Sequence, residues 1–136
     1  MPLRRLDHVN IRTAQLGRLI EWYRDVLGLE PGPRPDFPFG GAWLYCDGYP
    51  VVHLVETRSR HQGLDPTLEH FAFSAEGLDQ FLEHLRAHSV AYRCGTAPGE
   101  AFGIKQVNIW DPDGNHIHVD FARTETSALF ADYDPP

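Results

Sequence analysis

The sequence predicts an α+β protein made of two βαβββ modules in tandem, with a mostly antiparallel sheet and helices on one face. Three observations lead there. The short alternating segment Leu6-Asp7-His8-Val9-Asn10-Ile11 returns as Leu68-Glu69-His70-Phe71-Ala72-Phe73, and alternation of this kind marks a strand. Each copy is followed by apolar residues at the spacing of an amphipathic helix. Each helix is followed by alternating runs separated by an Asp-Gly turn, a strong hairpin signal. The modules are expected over residues 1–62 and 63–136. Units of about sixty residues bury too little apiece to stand alone, so their sheets must pack together, within the chain or with a second chain.

Taken in order, the first strand leads to a helix with Leu16, Leu19, Ile20, Tyr23, Val26 and Leu27 on one face, closed by Gly28, where a left-handed residue is needed. A weak strand near Glu30–Gly32 and a Pro/Gly-rich loop over Pro31–Gly41 precede Ala42–Cys46 and Val51–Val55, which flank the turn at Asp47-Gly48. Thr57–Pro66 reads as a connector. In the second module the helix carries Leu78, Phe81, Leu82 and Leu85 and ends at Ser89. A weak strand near Ala91–Cys94 follows. Lys105–Trp110 and His116–Phe121 then flank the turn Asp111-Pro112-Asp113-Gly114-Asn115. The tail from Thr124 shows no pattern, and Asp132–Pro136 is expected to be loose.

Composition narrows the function. Hydrophobic residues make up 42% and charged residues 23%, which suits a folded core and not a disordered chain. A net charge of −7 argues against nucleic acid, which calls for a basic face. Cys46 and Cys94 form no CxxC pair and no disulfide framework, so a reduced, cytoplasmic setting is expected. No apolar run approaches the ~20 residues of a membrane span, and the N-terminal residues do not read as a signal peptide.

Histidine is the unusual residue, with eight copies. Because side chains alternate along a strand, Val9 and Ile11 face one way and His8, Asn10 and Arg12 the other. His53 opposes Val52 and Leu54. His70 opposes Phe71 and Phe73. His116 and His118 oppose Ile117, Val119 and Phe121. In each strand the bulky apolar set suits a helix-packed core, and the histidines lie opposite it. His8 matches His70 in the repeat, and His53 matches His118 within a one-residue shift. Neutral imidazole is the commonest protein ligand for a transition metal, so His8, His53, His70 and His118 are expected to gather around one divalent ion (Zn, Fe, Ni, Mn or Co). His116 is expected at the cavity mouth. Asn10, Arg12 and Trp110 are candidates for its wall. His61, His84 and His88 read as solvated.

Leu6-Asp7-His8-Val9, Glu21-Trp22-Tyr23-Arg24-Asp25-Val26-Leu27-Gly28-Leu29, Glu69-His70-Phe71-Ala72-Phe73 and Asp111-Pro112-Asp113-Gly114-Asn115 together resemble the vicinal oxygen chelate superfamily of glyoxalases, bleomycin-resistance proteins and dioxygenases. The resemblance covers about residues 3–122. It implies two βαβββ modules whose sheets form an open cup, a divalent metal in the cup, and a small-molecule substrate bound through vicinal oxygens. It also implies homodimers, which are common among family chains of this length. Members include glyoxalase I, extradiol dioxygenases, epimerases and fosfomycin-type resistance enzymes, while others bind drugs without metal. Residue by residue, His8 and His70 fall on the two histidine ligand positions. His118 falls where the family usually has glutamate, and His53 where glyoxalase I-like members place another. The His-His-Glu set of Fe(II) dioxygenases and the carboxylate base of glyoxalase I are therefore both missing. Neutral ligands alone leave the ion its full charge, which favours an anionic substrate oxygen and lowers the pKa of bound water.

Two readings follow. In the first, the chain is a metalloenzyme: His8, His70 and His118 are ligands, His118 and His53 are the catalytic histidines, and His53 is either a fourth ligand or the base. Isomerase, lyase, transferase and dioxygenase chemistry all remain open. In the second, the chain is a metal-free binding protein of the drug-resistance type, with a cleft lined by Trp43, Tyr45, Phe102 and Trp110 between paired subunits.

Overall fold

The computed structural model describes residues 5–59, 68–97 and 104–136. His61 and Phe102 lie outside the described residues. The chain divides into two compact units, Met1–Leu64 and Asp65–Pro136. The first runs β1 (Val9–Thr13), α1 (Leu16–Leu27), β2 (Glu30–Gly32), β3 (Gly41–Cys46) and β4 (Tyr49–Glu56). The second repeats the order as β5 (His70–Ser74), α2 (Leu78–Ala87), β6 (Arg93–Thr96), β7 (Ile104–Trp110) and β8 (His116–Ala122).

Each unit carries a four-stranded mixed sheet, in the order β1-β4-β3-β2 and β5-β8-β7-β6. The first and fourth strands of each unit pair parallel. The remaining pairs are antiparallel. Parallel neighbours need a crossover, and in each unit the helix lies within it. In β1 the alternation buries Ile11 and Thr13 and exposes Asn10 and Arg12. Across the sheet Ile11 pairs with Leu54, which pairs with Ala42, and all three are buried. The corresponding row in the second unit is Phe73, Val119 and Val107.

Helix α1 buries Leu19, Tyr23 and Val26 and packs on β2, β3 and β4. An isolated helix of this length is marginal in water. It persists because these side chains leave water, each contributing roughly 1.5–3 kcal/mol. Gly28 ends it at φ 70°. The β3–β4 hairpin turns through Asp47 and Gly48, at φ 50° and 80°, the pairing a tight two-residue turn demands. Helix α2 buries Leu78, Leu82 and Leu85, and Phe81 meets Phe121 of β8 with ring centroids 5.6 Å apart.

Three expectations change. Strands β1 and β5 begin at Val9 and His70, later than the alternation suggested, so His8 stands just ahead of its strand. Strand β6 begins at Arg93 rather than near Ala91, because Tyr92 is fully buried and bridges to Tyr133 instead. The end of the chain is not loose. The guanidinium of Arg93 donates to Asp134 (2.8 Å) and to the Tyr133 carbonyl (3.0 Å), and the Cys94 N–H donates to Asp132 (2.9 Å). The tail thereby covers the free edge of β6, whose unpaired backbone would otherwise invite another strand.

The tail also caps a helix. Gly77 at the start of α2 has no side chain to satisfy the first N–H groups, and Glu125 supplies the acceptor from far along the chain. One of its oxygens accepts from the N–H of Gly77 (2.9 Å) and of Leu78 (2.8 Å). Its negative charge also complements the helix N-terminus. Glu125→Ala should cost about 1–2 kcal/mol and Glu125→Gln less, read as a lower urea midpoint. An unchanged midpoint in Glu125→Ala would show that the cap contributes nothing.

Candidate functional site

The register settles which histidines correspond. His53 pairs with Asn10, two residues beyond His8, and His118 pairs with Ala72, two residues beyond His70. Their matched positions coincide without the one-residue shift expected from the sequence. In the first unit the row Asn10–His53–Trp43 crosses the sheet on the face opposite Ile11 and Leu54. In the second unit the rows are Ala72–His118–Asn108 and His70–His116–Trp110.

In the first unit the His53 ring is sandwiched. It stacks on His8 at 3.8 Å (10° between planes) and on Trp43 at 4.0 Å (11°). Its Nε2–H donates to the Pro50 carbonyl at 3.0 Å, which leaves Nδ1 with the lone pair. Burial, then the neighbouring His8, pulls its pKa below the ordinary value. A metal lies in the plane of the imidazole that binds it. Two rings stacked face to face hold their lone pairs in nearly parallel planes, so His8 and His53 as placed cannot both aim at one ion. Asn10 and Arg12 are exposed on this same face of β1.

In the second unit three imidazoles gather. His70 lies 4.5 Å from His118 and 5.3 Å from His116, ring to ring. His116 and His118 are 6.1 Å apart. Trp110 stacks on His116 at 4.9 Å and is 44% exposed, so it flanks the cluster and is not part of the core. His116 is held at both nitrogens, with Nδ1 3.0 Å from a Glu69 carboxylate oxygen and Nε2 2.8 Å from Asn108 Oδ1. The Asn108 amide is oriented for this because its Nδ2 donates to the Arg93 carbonyl.

His8, His70 and His118 share one arrangement. His8 Nδ1 donates to Asp7 (2.8 Å), His70 Nδ1 donates to Glu69, and His118 Nδ1 donates to Asp120 (2.6 Å). An ionised carboxylate only accepts, so Nδ1 carries a proton, and in the neutral form of each ring the lone pair is on Nε2. Among the described residues nothing hydrogen-bonds to those Nε2 atoms. In the second unit the rings of His70 and His118 lie 4.5 Å apart, and imidazole nitrogen is a donor suited to a borderline divalent ion. Glu69, His70 and His116 also place ligand atoms within 4.8 Å of one another, an alternative grouping that would require Glu69 to exchange its two N–H donors for an ion. His84 and His88 pair on α2, 4.3 Å apart, away from these strands in the sequence.

Asp7, Glu69, Asp120 and Asn108 were not singled out by the sequence. Two of them were visible in it, since Asp7 and Glu69 directly precede equivalent histidines. Asp120, two residues after His118, shares its face of the strand.

No helix among the described residues is long and apolar enough to cross a membrane. The chain is 26% identical over 125 residues to glyoxylase I 4 of Arabidopsis thaliana, covering 88% of this chain and 71% of that protein. It is 28% identical over 122 residues to the manganese-dependent 2,3-dihydroxybiphenyl 1,2-dioxygenase of Geobacillus genomosp. 3, covering 83% of this chain but only 38% of the dioxygenase. The crystal structure of a glyoxalase family protein from Bacillus anthracis has the same fold, with a TM-score of 0.73 at 20% identity over 88% of this chain and 96% of that one. Residues 5–119 match the family as a whole, and with the duplicated βαβββ units they show that the chain belongs to the Glyoxalase/Bleomycin resistance protein/Dioxygenase superfamily.

Proposed function

We propose that the chain is a divalent-metal-dependent enzyme acting on a small molecule that offers two adjacent oxygens. The observation that carries this reading is the common arrangement of His8, His70 and His118, each with Nδ1 against a carboxylate and, among the described residues, no partner at Nε2. His70 and His118, with rings 4.5 Å apart, would hold the ion, and His8 is a further candidate ligand from its equivalent place in the repeat. When bound, such an ion (Zn, Fe, Ni, Mn or Co) supplies Lewis acidity to substrate oxygens. With no carboxylate in the ligand set, an anionic oxygen pair is the favoured guest.

His53 takes the role of proton acceptor rather than fourth ligand. Its Nε2–H is spent on Pro50, its Nδ1 is free, and its lowered pKa keeps it neutral near pH 7. Neutral imidazole beside a bound substrate can take a proton, and stacking on Trp43 and His8 holds the ring in place. Asn10 and Arg12 lie on the same strand face as wall residues, and Arg12 complements an anionic substrate. Trp110 and His116 form a polar and aromatic flank in the second unit. A homodimer in the cytoplasm fits the family pattern and the two free thiols.

The competing reading, a metal-free binding protein, rests on the aromatic surface. Phe37 and Phe39 stack beside Trp43 and are 39% and 45% exposed, and Trp110 is exposed as well. Metal analysis separates the two. The purified, dialysed protein should retain stoichiometric divalent metal, and His70→Ala should lose it. A metal-free protein that still binds aromatic ligands would overturn the enzyme reading.

Turnover should be sought with dicarbonyl–thiol adducts, catechols and thiol-acceptor pairs. On the substrate so found, His53→Gln should keep the metal and lose roughly 10²-fold or more in rate. Loss of the metal would instead make His53 a ligand. In metal-free protein the His53 Hε1 NMR signal should titrate below 6.5, the value expected in the unfolded chain. The unfolded chain then binds the proton first, so this residue's contribution to stability is full above pH 6.5 and is lost as pH falls through its folded pKa. A midpoint at or above 6.5 would contradict the desolvated sandwich.

A further inference from the structure

We infer that Glu69 and Asp120, and Asp7 at the equivalent place in the first unit, are positioning residues that set the tautomer of their histidines and tune metal affinity, an inference that rests on the metalloenzyme reading above. In each unit the residue just before the first histidine is acidic and accepts from its Nδ1. Asp120 does the same for His118 from the same face of β8. A carboxylate at Nδ1–H directs Nε2 outward and makes it a stronger donor. It also places one negative charge behind each ring, so an ion held only by neutral imidazoles keeps a compensating field.

His53 shows what the absence of such a partner does. The residue of β4 that corresponds to Asp120 is Val55. Without a carboxylate, His53 takes the opposite tautomer and donates from Nε2 to a backbone carbonyl. Among the four histidines proposed from the sequence, the three with an acidic partner at Nδ1 are those assigned as ligands, and His53, without one, is the ring stacked on His8.

The carboxylates are not equivalent. Side-chain exposure is 78% for Asp7, 65% for Glu69 and 20% for Asp120. Solvent and salt screen the first two most. Glu69 also divides its oxygens between His70 and His116. Asp120 should therefore have the largest effect.

The test uses the full chain, Zn(II) alone with a competing chelator, and nitrogen-15 NMR of the histidine rings. In metal-free protein His8, His70 and His118 should show the Nδ1–H tautomer and His53 the Nε2–H tautomer. Asp120→Asn keeps an oxygen acceptor but removes the charge and should weaken Zn(II) about tenfold. Asp120→Ala removes both and should approach a hundredfold. Asp7→Asn and Glu69→Gln should fall short of Asp120→Asn. Circular dichroism should report an unchanged fold in each variant.

If wild-type protein binds no Zn(II), the metalloenzyme reading falls and takes this inference with it. If wild type binds tightly and the Asp120 variants bind equally well, the inference alone is overturned. An Nε2–H tautomer at His8, His70 or His118 also overturns it. So does loss of binding in His116→Ala with retention in Asp120→Ala, which would put the ion on Glu69, His70 and His116.

Discussion

In each unit the first strand lies parallel to the fourth, and the side chains of both alternate between an apolar face and a histidine-bearing one. That pairing brings residues far apart in the chain to the same height in the sheet. Asn10 meets His53 and Ala72 meets His118. The helix between them supplies the crossover that parallel pairing requires, and its buried leucines hold one face dry. The opposite face is then free to carry imidazoles, which could not be spared from the core side without losing apolar burial there.

Carboxylates turn that layer of imidazoles into something with direction. A neutral histidine has two nitrogens of different character, and only a committed partner decides which one carries the lone pair. In both units the partner is built into the repeat itself, as the acidic residue ahead of the first histidine. The second unit adds Asp120 and a bridging Glu69, and it organises His116, Asn108 and Arg93 into one hydrogen-bonded run. The first unit instead buries His53 between two rings. One duplicated scaffold thus carries two local solutions, a polar cluster and an aromatic stack.

Much of the fold was legible in the sequence because the signals were redundant. The copied strand, the helical spacing and the Asp-Gly turns all pointed to the same duplicated unit, and the match of His8 to His70 followed directly. The face of each histidine was legible too, since alternation alone sets it. What alternation cannot show is register, which is why His53 and His118 looked one residue out of step. Nor can it show in-plane geometry, so the stacking of His8 on His53 was beyond reach. The tail escaped for a different reason. Its partners Tyr92, Arg93 and Cys94 lie far away in sequence, and Glu125 caps a helix about fifty residues earlier, a long-range link that leaves no periodic trace. Trp110, a wall candidate in the sequence, is exposed and stacks on His116.

The proposed ion rests first on the Nε2 atoms of His70 and His118, whose rings lie 4.5 Å apart in the second unit. The most direct measurement is diffraction from crystals grown with Zn(II), with anomalous data collected on both sides of the zinc edge. The account predicts an anomalous peak about 2.0–2.1 Å from those Nε2 atoms, with His53 still donating to Pro50. A peak among Glu69, His70 and His116, or no peak on these histidines at all, would contradict it.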